Sequence, residues 1–135
     1  MSRNGGVTSK VSGLCAFPEI TARVVRSIQE LKPEAAQKLF KVSDALWTEV
    51  AAMWSNNLES YTNPEVGLRG LRAYTGEAFK FLNAAELSPE GNSNAQQSLY
   101  IMSALYGVVS ANMHIVPYRL EMQSRLEVAS YKNLT

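Results

Sequence analysis

The residues best suited to chemistry are the charged side chains that follow Pro117. Charged or polar residues occupy the odd positions from 119 to 127, and mostly apolar residues occupy the even ones. A period of two places the two sets on opposite faces of an extended strand. On the charged face, Arg119 and Glu121 could line a concave site, because an Arg–carboxylate pair can bind a polar or anionic group. The alternative is a solvated row of charges that pairs with a neighbouring strand and contributes little stability.

Other types of catalytic or metal site find little support in the sequence. The chain has one histidine, His114, and one cysteine, Cys15, so neither a zinc cluster nor a histidine-based iron site is predicted. We interpret His114 as a packed imidazole in an apolar run and Cys15 as an inert thiol. The Gly67-x-x-Gly70 pattern is assigned to a helix, and it lacks the Lys-Ser/Thr ending of a phosphate-binding loop. We therefore predict no metal and no cofactor.

Charge and apolar content narrow the class of protein. Residues 1–41 carry seven Lys or Arg against three Glu, whereas residues 42–68 carry four acidic residues and no basic ones. The basic first third could contact phosphates, and the simpler interpretation is a solvated helical face. No apolar run has the length of a membrane span, no signal peptide is recognisable, and a single cysteine suits a reducing compartment. A cytoplasmic location is predicted.

Helical periodicity dominates the first part of the chain. Apolar residues recur at intervals of three and four over 17–31, which predicts a first helix. Pro33-Glu34 is typical of a second helix start, because proline suits the first turn and glutamate its positive end. Ser43-Asp44 offers an N-cap to a third helix. The lead-in, residues 1–16, is rich in Gly and Ser with little periodicity, and is predicted to be flexible.

The second part of the chain is predicted to be mixed. A fourth helix is expected to open at Asn63-Pro64-Glu65. Residues 77–87 fit either a short helix or a buried strand, residues 88–94 are predicted to be a loop, and a further helix is expected over about 95–104. A strand is predicted near 118–128. Helices first and a strand late predict an α+β fold, mostly helical with a partial β-sheet.

Two sequence blocks resemble the paired signature of the YaaA-like peroxide stress resistance family. The first block is Ser-Ala-Leu-Tyr-Gly-Val-Val at 103–109, and the second is Pro-Tyr-Arg-Leu-Glu-Met at 117–122. The family shows a Leu-Ser-Gly-Leu-Tyr-Gly block and then a Pro-Tyr-Arg-Leu-Glu-Met-Gly block at this separation. Weaker similarity covers most of the chain and leaves about the first fifteen residues outside. The resemblance makes the polar residues of the second block, Tyr118, Arg119 and Glu121, a candidate polar site.

The resemblance implies a non-enzymatic cytosolic protein that protects cells under hydroperoxide stress. It implies a role in limiting free intracellular iron and so oxidative damage to DNA. It also implies a helix-hairpin-helix element that binds duplex DNA without strong sequence preference. The best match to that element surrounds Ser43-Asp44-Ala45-Leu46, which is similar to the family's Ser-Asp-Lys-Leu. Lys38, Lys41 and Ser43 are therefore the candidate DNA-binding residues.

The chain also departs from the family pattern. It lacks the initial Ser-Pro-Ala-Lys-Thr-Leu motif, Ala104 and Gln123 replace family glycines, and no glycine occurs over 43–53 to make a tight hairpin. We therefore expect residues 17–135 to form a single domain that is a fragment of a larger family domain, truncated at both ends. Such a fragment is expected to bind duplex DNA weakly and to self-associate through uncovered apolar surface. A small enzyme with an Arg119/Glu121 pocket and a small interaction domain stay open as alternatives.

Overall fold

Three helices form the first part of the computed structural model, which describes residues 14–132 and residue 134. They are α1 (Pro18–Gln29), α2 (Pro33–Phe40) and α3 (Asp44–Met53). Each begins with an acidic residue in its first turn, and α1 and α2 also begin with a proline, which favours the start of a helix. The three predicted helices are thereby confirmed. Most of the predicted flexible lead-in lies outside the described residues.

Short elements follow α3 and lead to a last helix. In chain order they are a 3₁₀ turn (Leu58–Tyr61), β1 (Leu68–Arg69), α4 (Gly70–Ala73), α5 (Glu77–Leu82), a second 3₁₀ turn (Ala84–Glu86) and α6 (Pro89–Ser98). Residues 77–87, for which the sequence allowed either a short helix or a buried strand, contain α5 and the second 3₁₀ turn.

Three of the predicted elements in this region are wrong. No helix opens at residue 63, because the Asn63 side chain accepts a hydrogen bond from the Glu65 N–H at 2.9 Å and closes a local turn instead. The predicted loop over 88–94 lies in α6. There the Ser88 hydroxyl accepts from the Gly91 N–H at 3.0 Å, and Pro89 occupies the first helical turn. Since α6 ends at Ser98, the expected helix over 95–104 gives way to a strand.

The strands make two small antiparallel sheets. β2 (Tyr100–Ser103) and β3 (Gly107–Ser110) form a hairpin in which Tyr100 lies opposite Ser110. β1 pairs with β4 (His114–Ile115), with Leu68 opposite Ile115. Helices combined with these sheets confirm the α+β class. Within the described ranges, no helix is long and apolar enough to cross a membrane.

The strand predicted near 118–128 is not formed as a hydrogen-bonded strand. Residues 118–127 carry no ladder, a turn closes where the Ser124 N–H donates to the Glu121 carbonyl at 3.0 Å, and one isolated bridge joins Val128 to Tyr131. Extended backbone alone suffices to alternate side chains, whereas a strand also needs a partner backbone. The alternation survives in part: Ser124, Leu126 and Val128 are buried between exposed neighbours, whereas Met122, on the same predicted face, is 40% exposed.

Only the last residue of the Gly67-x-x-Gly70 pattern lies in a helix, since Gly70 begins α4, and the pattern permits close packing against β4. Gly67 has φ +97°, and a Cβ there would lie 2.0 Å from the Ile115 carbonyl oxygen. A Cβ on Gly70 would lie 2.7 Å from the Ser110 carbonyl oxygen. The Gly70 N–H donates to the Met113 carbonyl at 2.7 Å. Only glycine fits these contacts, so the pattern joins β1 and α4 tightly to the loop before β4.

The core is formed between the N-terminal helices and the two sheets, and aromatic rings fill much of it. Phe40 stacks on Trp54 with ring centroids 5.7 Å apart, and Trp54 stacks on Tyr61 at 6.0 Å. His114, interpreted from the sequence as a packed imidazole, is half-buried. Its Nδ1 lies 2.7 Å from the Pro64 carbonyl oxygen. The largest fully buried side chains come from α1, the first 3₁₀ turn, the hairpin, β4 and the loop before it: Tyr61, Tyr106, Met113, Ile115, Val25, Val109 and Thr21.

Candidate functional site

The two sequence blocks meet in space through one hydroxyl contact. Ser103 ends β2, and its Oγ accepts from the N–H groups of Leu105 at 3.2 Å and Tyr106 at 3.0 Å. The hydroxyl of Tyr118, in the second block, lies 2.5 Å from the same Oγ. Two amide donors occupy both lone pairs of a serine oxygen, so the Ser103 proton donates to Tyr118. Ser103 of the first block thus stabilises its own hairpin turn and also bonds to Tyr118 of the second block.

Tyr118 extends this contact into an aromatic cluster. Because its oxygen accepts from Ser103, its own proton is available to the Tyr74 hydroxyl at 3.2 Å. The Tyr118 ring lies edge-on to the rings of Tyr106 at 5.7 Å, Tyr74 at 6.3 Å and Trp54 at 6.3 Å. Edge-to-face pairs of this kind contribute roughly 0.5–1.5 kcal/mol each beyond their burial. Four elements distant in sequence are therefore joined at Tyr118.

Tyr74 and Tyr106 of the cluster are neutral hydrogen-bonding groups. Tyr106 is fully buried, and its hydroxyl accepts from the Val116 N–H at 3.1 Å. Burial raises the pKa of Tyr106 well above its ordinary value. Burial is also the main cause of the raised pKa of Tyr74, with Tyr118 adding to it. These groups supply no negative charge near neutral pH, and their arrangement is that of a structural network.

The predicted polar site is divided by the structure. Tyr118 is half-buried and belongs to the aromatic cluster, whereas Arg119 and Glu121 are exposed. Over residues 14–132, the side chains of Arg119 and Glu121 make no hydrogen bond and no ion pair with another group. The structure therefore does not bring the three residues together around one pocket.

Two of the candidate DNA-binding residues, Lys38 and Lys41, line one groove. The third cation of this groove is Arg125, and its volume is about 500 Å³. The remaining lining residues are Ala35, Leu39, Gln123 and Ser124. Among the described residues that line it, none is acidic. We name this feature the basic groove.

The sequence did not predict the contribution of Arg125 to the basic groove. Arg125 lies far from α2 along the chain, and its odd position within the alternating segment indicated only a charged face. The turn that the Ser124 N–H closes with the Glu121 carbonyl directs the chain past the end of α2. No local pattern encodes this contact, which depends on how the second block packs.

A hairpin without glycine joins α2 to α3. Lys41 has φ +52°, in the left-handed region, and its N–H bonds to the carbonyls of Gln37 and Lys38. A non-glycine residue in this conformation costs roughly 1–2 kcal/mol. Ser43, the third candidate, is the exposed N-cap residue of α3, does not line the basic groove, and makes no side-chain cap bond. The absence of glycine noted in the sequence thus does not prevent a tight connection.

Raising the pH past 10 is predicted to destabilise the fold. Folding raises the pKa of Tyr74 and Tyr106, so the unfolded chain releases these two protons at a lower pH than the folded chain does. The free energy of unfolding is therefore highest below pH 10 and falls as the pH rises above it. Each group contributes a slope of up to about 1.4 kcal/mol per pH unit. Urea unfolding from pH 8 to 11 should show a shallower decline for Tyr74→Phe. The control Phe79→Leu removes a stacked ring without an ionisable hydroxyl, and should lower stability equally at every pH. Parallel pH profiles for wild type and Tyr74→Phe would contradict this assignment.

Comparison with known proteins agrees with the resemblance in the two blocks. A UPF0246 protein of Limosilactobacillus fermentum is 35% identical over 118 residues, which are 87% of this chain and 46% of the relative. A UPF0246 protein of Clostridioides difficile is 30% identical, and the match covers 98% of this chain and 52% of the relative. A UPF0246 protein of Delftia acidovorans is 32% identical, and the match covers 90% of this chain and 46% of the relative. The chain spans about half the length of the curated relatives it matches.

The family comparison reaches further toward the N-terminus than the two blocks indicated. The model of the family described as peroxide stress protein YaaA matches residues 6–135, so about ten residues expected to lie outside the resemblance are within the match. It covers nearly the whole chain, including both blocks and α1 to α6. The chain therefore belongs to the YaaA peroxide stress protein family.

Proposed function

We propose that this chain acts in the response to peroxide stress by binding duplex DNA without sequence preference, through the basic groove. The observation that carries the proposal is the convergence of Lys38, Lys41 and Arg125 on one groove. Two of these residues end α2, and the third comes from a segment more than eighty positions later. Cations held on both sides of a groove can contact neighbouring phosphates without reading bases.

The chemistry of the groove suits a phosphate backbone. Arg125 can bind a phosphate through two parallel N–H donors, whereas the two lysines act as flexible point charges. The alkyl parts of Ala35 and Leu39 line the same groove and offer surface for sugar contacts. Since no acidic side chain of the described chain lines it, the attraction is not cancelled locally.

The connection between α2 and α3 adds a weaker feature. Ser43 precedes the first turn of α3, whose backbone N–H groups form the positive end of a ten-residue helix. Asp44 lies in that first turn, and its Oδ1 accepts from Gln37 Nε2 at 2.6 Å. A carboxylate at this position offsets part of the attraction for phosphate. We therefore assign the main contact to the three cations and a minor one to the Ser43 backbone.

The family match supports the wider role. On that ground we propose that the chain helps to limit free intracellular iron and oxidative damage to DNA, acting in the cytoplasm and without catalysis. The basic groove supports the DNA contact only. The alternative of a small enzyme receives no geometric support from Arg119 and Glu121, which are both exposed.

DNA binding is predicted to be weak and steeply salt-dependent. Three phosphate contacts give a log–log salt slope of about 2.7, so affinity should fall about 40-fold between about 50 and 200 mM salt. Fluorescence anisotropy of a labelled duplex at two salt concentrations measures this. Lys38→Glu with Lys41→Glu should abolish binding, and Arg125→Gln should weaken it and reduce the slope by about one contact.

The matched control is Arg119→Gln, which removes an equally exposed arginine outside the groove and should leave the anisotropy curve unchanged. Duplexes of unrelated sequence should bind with equal affinity. Tight binding that survives physiological salt, or equal loss with Arg119→Gln and Arg125→Gln, would show that the groove is not the DNA contact.

We also propose that the chain associates with itself through an apolar surface around β2. Tyr100 and Met102 are 59% and 69% exposed, and with Phe79 and Leu82 they line an open groove of about 440 Å³. On its side away from β3, β2 has no partner strand within the described residues. Exposed apolar side chains beside an unpaired edge favour association.

Sedimentation velocity over a range of concentrations tests this second proposal. We expect wild type to shift to larger species as concentration rises, and Met102→Lys to shift the distribution back to monomer. Tyr131→Ser, which alters another exposed ring at 71% exposure, is the control and should behave as wild type. A monomer at every concentration would refute self-association.

A further inference from the structure

A second polar cavity lies among β1, α4 and α6 and shares no lining residue with the basic groove. Its volume is about 260 Å³. Two arginines and three carboxamides line it, together with two small or apolar residues at its base: Arg69, Arg72, Asn92, Gln96, Asn112, Leu71 and Ala111. We name it the arginine–amide cavity. None of these residues belongs to a site predicted from the sequence.

Local structure explains why these side chains converge. Asn92 and Gln96 are separated by four residues on α6, so they lie on one helix face. Arg69 and Arg72 flank Gly70, whose missing Cβ lets α4 approach the loop that contains Asn112. The Leu71 N–H donates to the Ala111 carbonyl at 3.1 Å, and both residues are buried. The base of the cavity is therefore part of the packed fold.

The polar side chains of the cavity have unused hydrogen-bonding capacity. In the described part of the chain, none of the five makes a side-chain hydrogen bond or an ion pair. Each guanidinium offers five N–H donors, and each carboxamide offers donors and an acceptor. No acidic side chain of residues 14–132 lines the cavity, so the two guanidinium groups have no internal counterion there. The three amide-bearing residues are half-buried, which favours ordered contacts with a bound molecule.

We infer that the arginine–amide cavity binds a small phosphorylated molecule. Two guanidinium groups match a dianionic phosphoryl group, because each can present parallel N–H donors to two of its oxygens. The carboxamides of Asn92, Gln96 and Asn112 are suited to hydroxyl or amide groups on the rest of the ligand. The small volume fits a compact phosphate ester better than a polymer. This site is separate from the DNA contact proposed above and does not depend on it.

Isothermal titration calorimetry on the full chain, at constant ionic strength, tests the inference with orthophosphate and ribose 5-phosphate as probes. We expect saturable one-to-one binding of both at millimolar concentrations or below, with ribose 5-phosphate the tighter ligand. Arg72→Gln should weaken binding about tenfold or more, as expected for a charged hydrogen-bonding partner. Asn92→Ala should weaken ribose 5-phosphate more than orthophosphate. Arg119→Gln is the matched control and should leave both affinities unchanged.

Several results of the same experiments would contradict phosphate binding in the arginine–amide cavity. No saturable heat, equal affinity in wild type and Arg72→Gln, or tighter binding of succinate would overturn the inference. Circular dichroism melts of each variant show whether it is folded, and Arg69→Lys provides a milder second test that should weaken binding without loss of fold. If Arg72→Gln reduces duplex affinity as much as Lys38→Gln does, the cavity is part of the DNA surface and not a small-molecule site. Phosphate binding that persists in the Lys38→Glu/Lys41→Glu variant separates the two sites.

Discussion

The hydroxyl contact between Ser103 and Tyr118 is the interaction on which the arrangement of the second half depends. Ser103 satisfies two buried backbone N–H groups in the hairpin turn and still donates to Tyr118. Tyr118 in turn packs its ring against three other aromatic residues. A buried network of this kind is stabilising only when its members are all satisfied. Trp54 packs its ring against Tyr118 but lies outside the hydrogen-bond network, and its Nε1 is buried without a hydrogen bond within the described residues, which is a local cost of the aromatic packing.

Functional surfaces follow from that packing. Tyr118 holds the start of the segment whose later turn brings Arg125 beside Lys38 and Lys41. The basic groove presents flexible cations over a broad surface, which suits phosphates at variable spacing. In contrast, the arginine–amide cavity is smaller and combines two exposed guanidinium groups with half-buried carboxamides, which suits one oriented ligand. The two sites differ in the chemistry they favour because two lysines and one arginine line the groove, whereas two arginines and three carboxamides line the cavity.

Local signals in the sequence were sufficient for the N-terminal helices, because prolines, acidic first turns and apolar spacing all act within one turn. These signals gave wrong predictions at two places where a side chain hydrogen-bonds to the backbone. The Asn63 side chain closes a turn where a helix was expected, and the Ser88 hydroxyl caps a helix in a polar stretch that was expected to be a loop. The alternation after Pro117 correctly indicated the burial of Leu126 and Val128, but Met122 is exposed beside a turn, and strand pairing is a long-range property. The two blocks pointed to Tyr118, and the alternation placed it on the face opposite Arg119; the structure has Tyr118 half-buried and Arg119 exposed. Arg125 and the arginine–amide cavity come from tertiary contacts alone, and no spacing in the chain predicts them.

A double-mutant cycle on Ser103 and Tyr118 tests the central claim, that their hydroxyl contact joins the two sequence blocks. The free energy of unfolding is measured by urea titration for wild type, Ser103→Ala, Tyr118→Phe and the double variant. Ser103→Ala should cost about 1–3 kcal/mol because it leaves buried N–H groups unpaired. We predict a coupling energy of about 0.5–3 kcal/mol between the two changes. Additivity within about 0.3 kcal/mol would contradict the account, because it would mean that each block is held independently of the other.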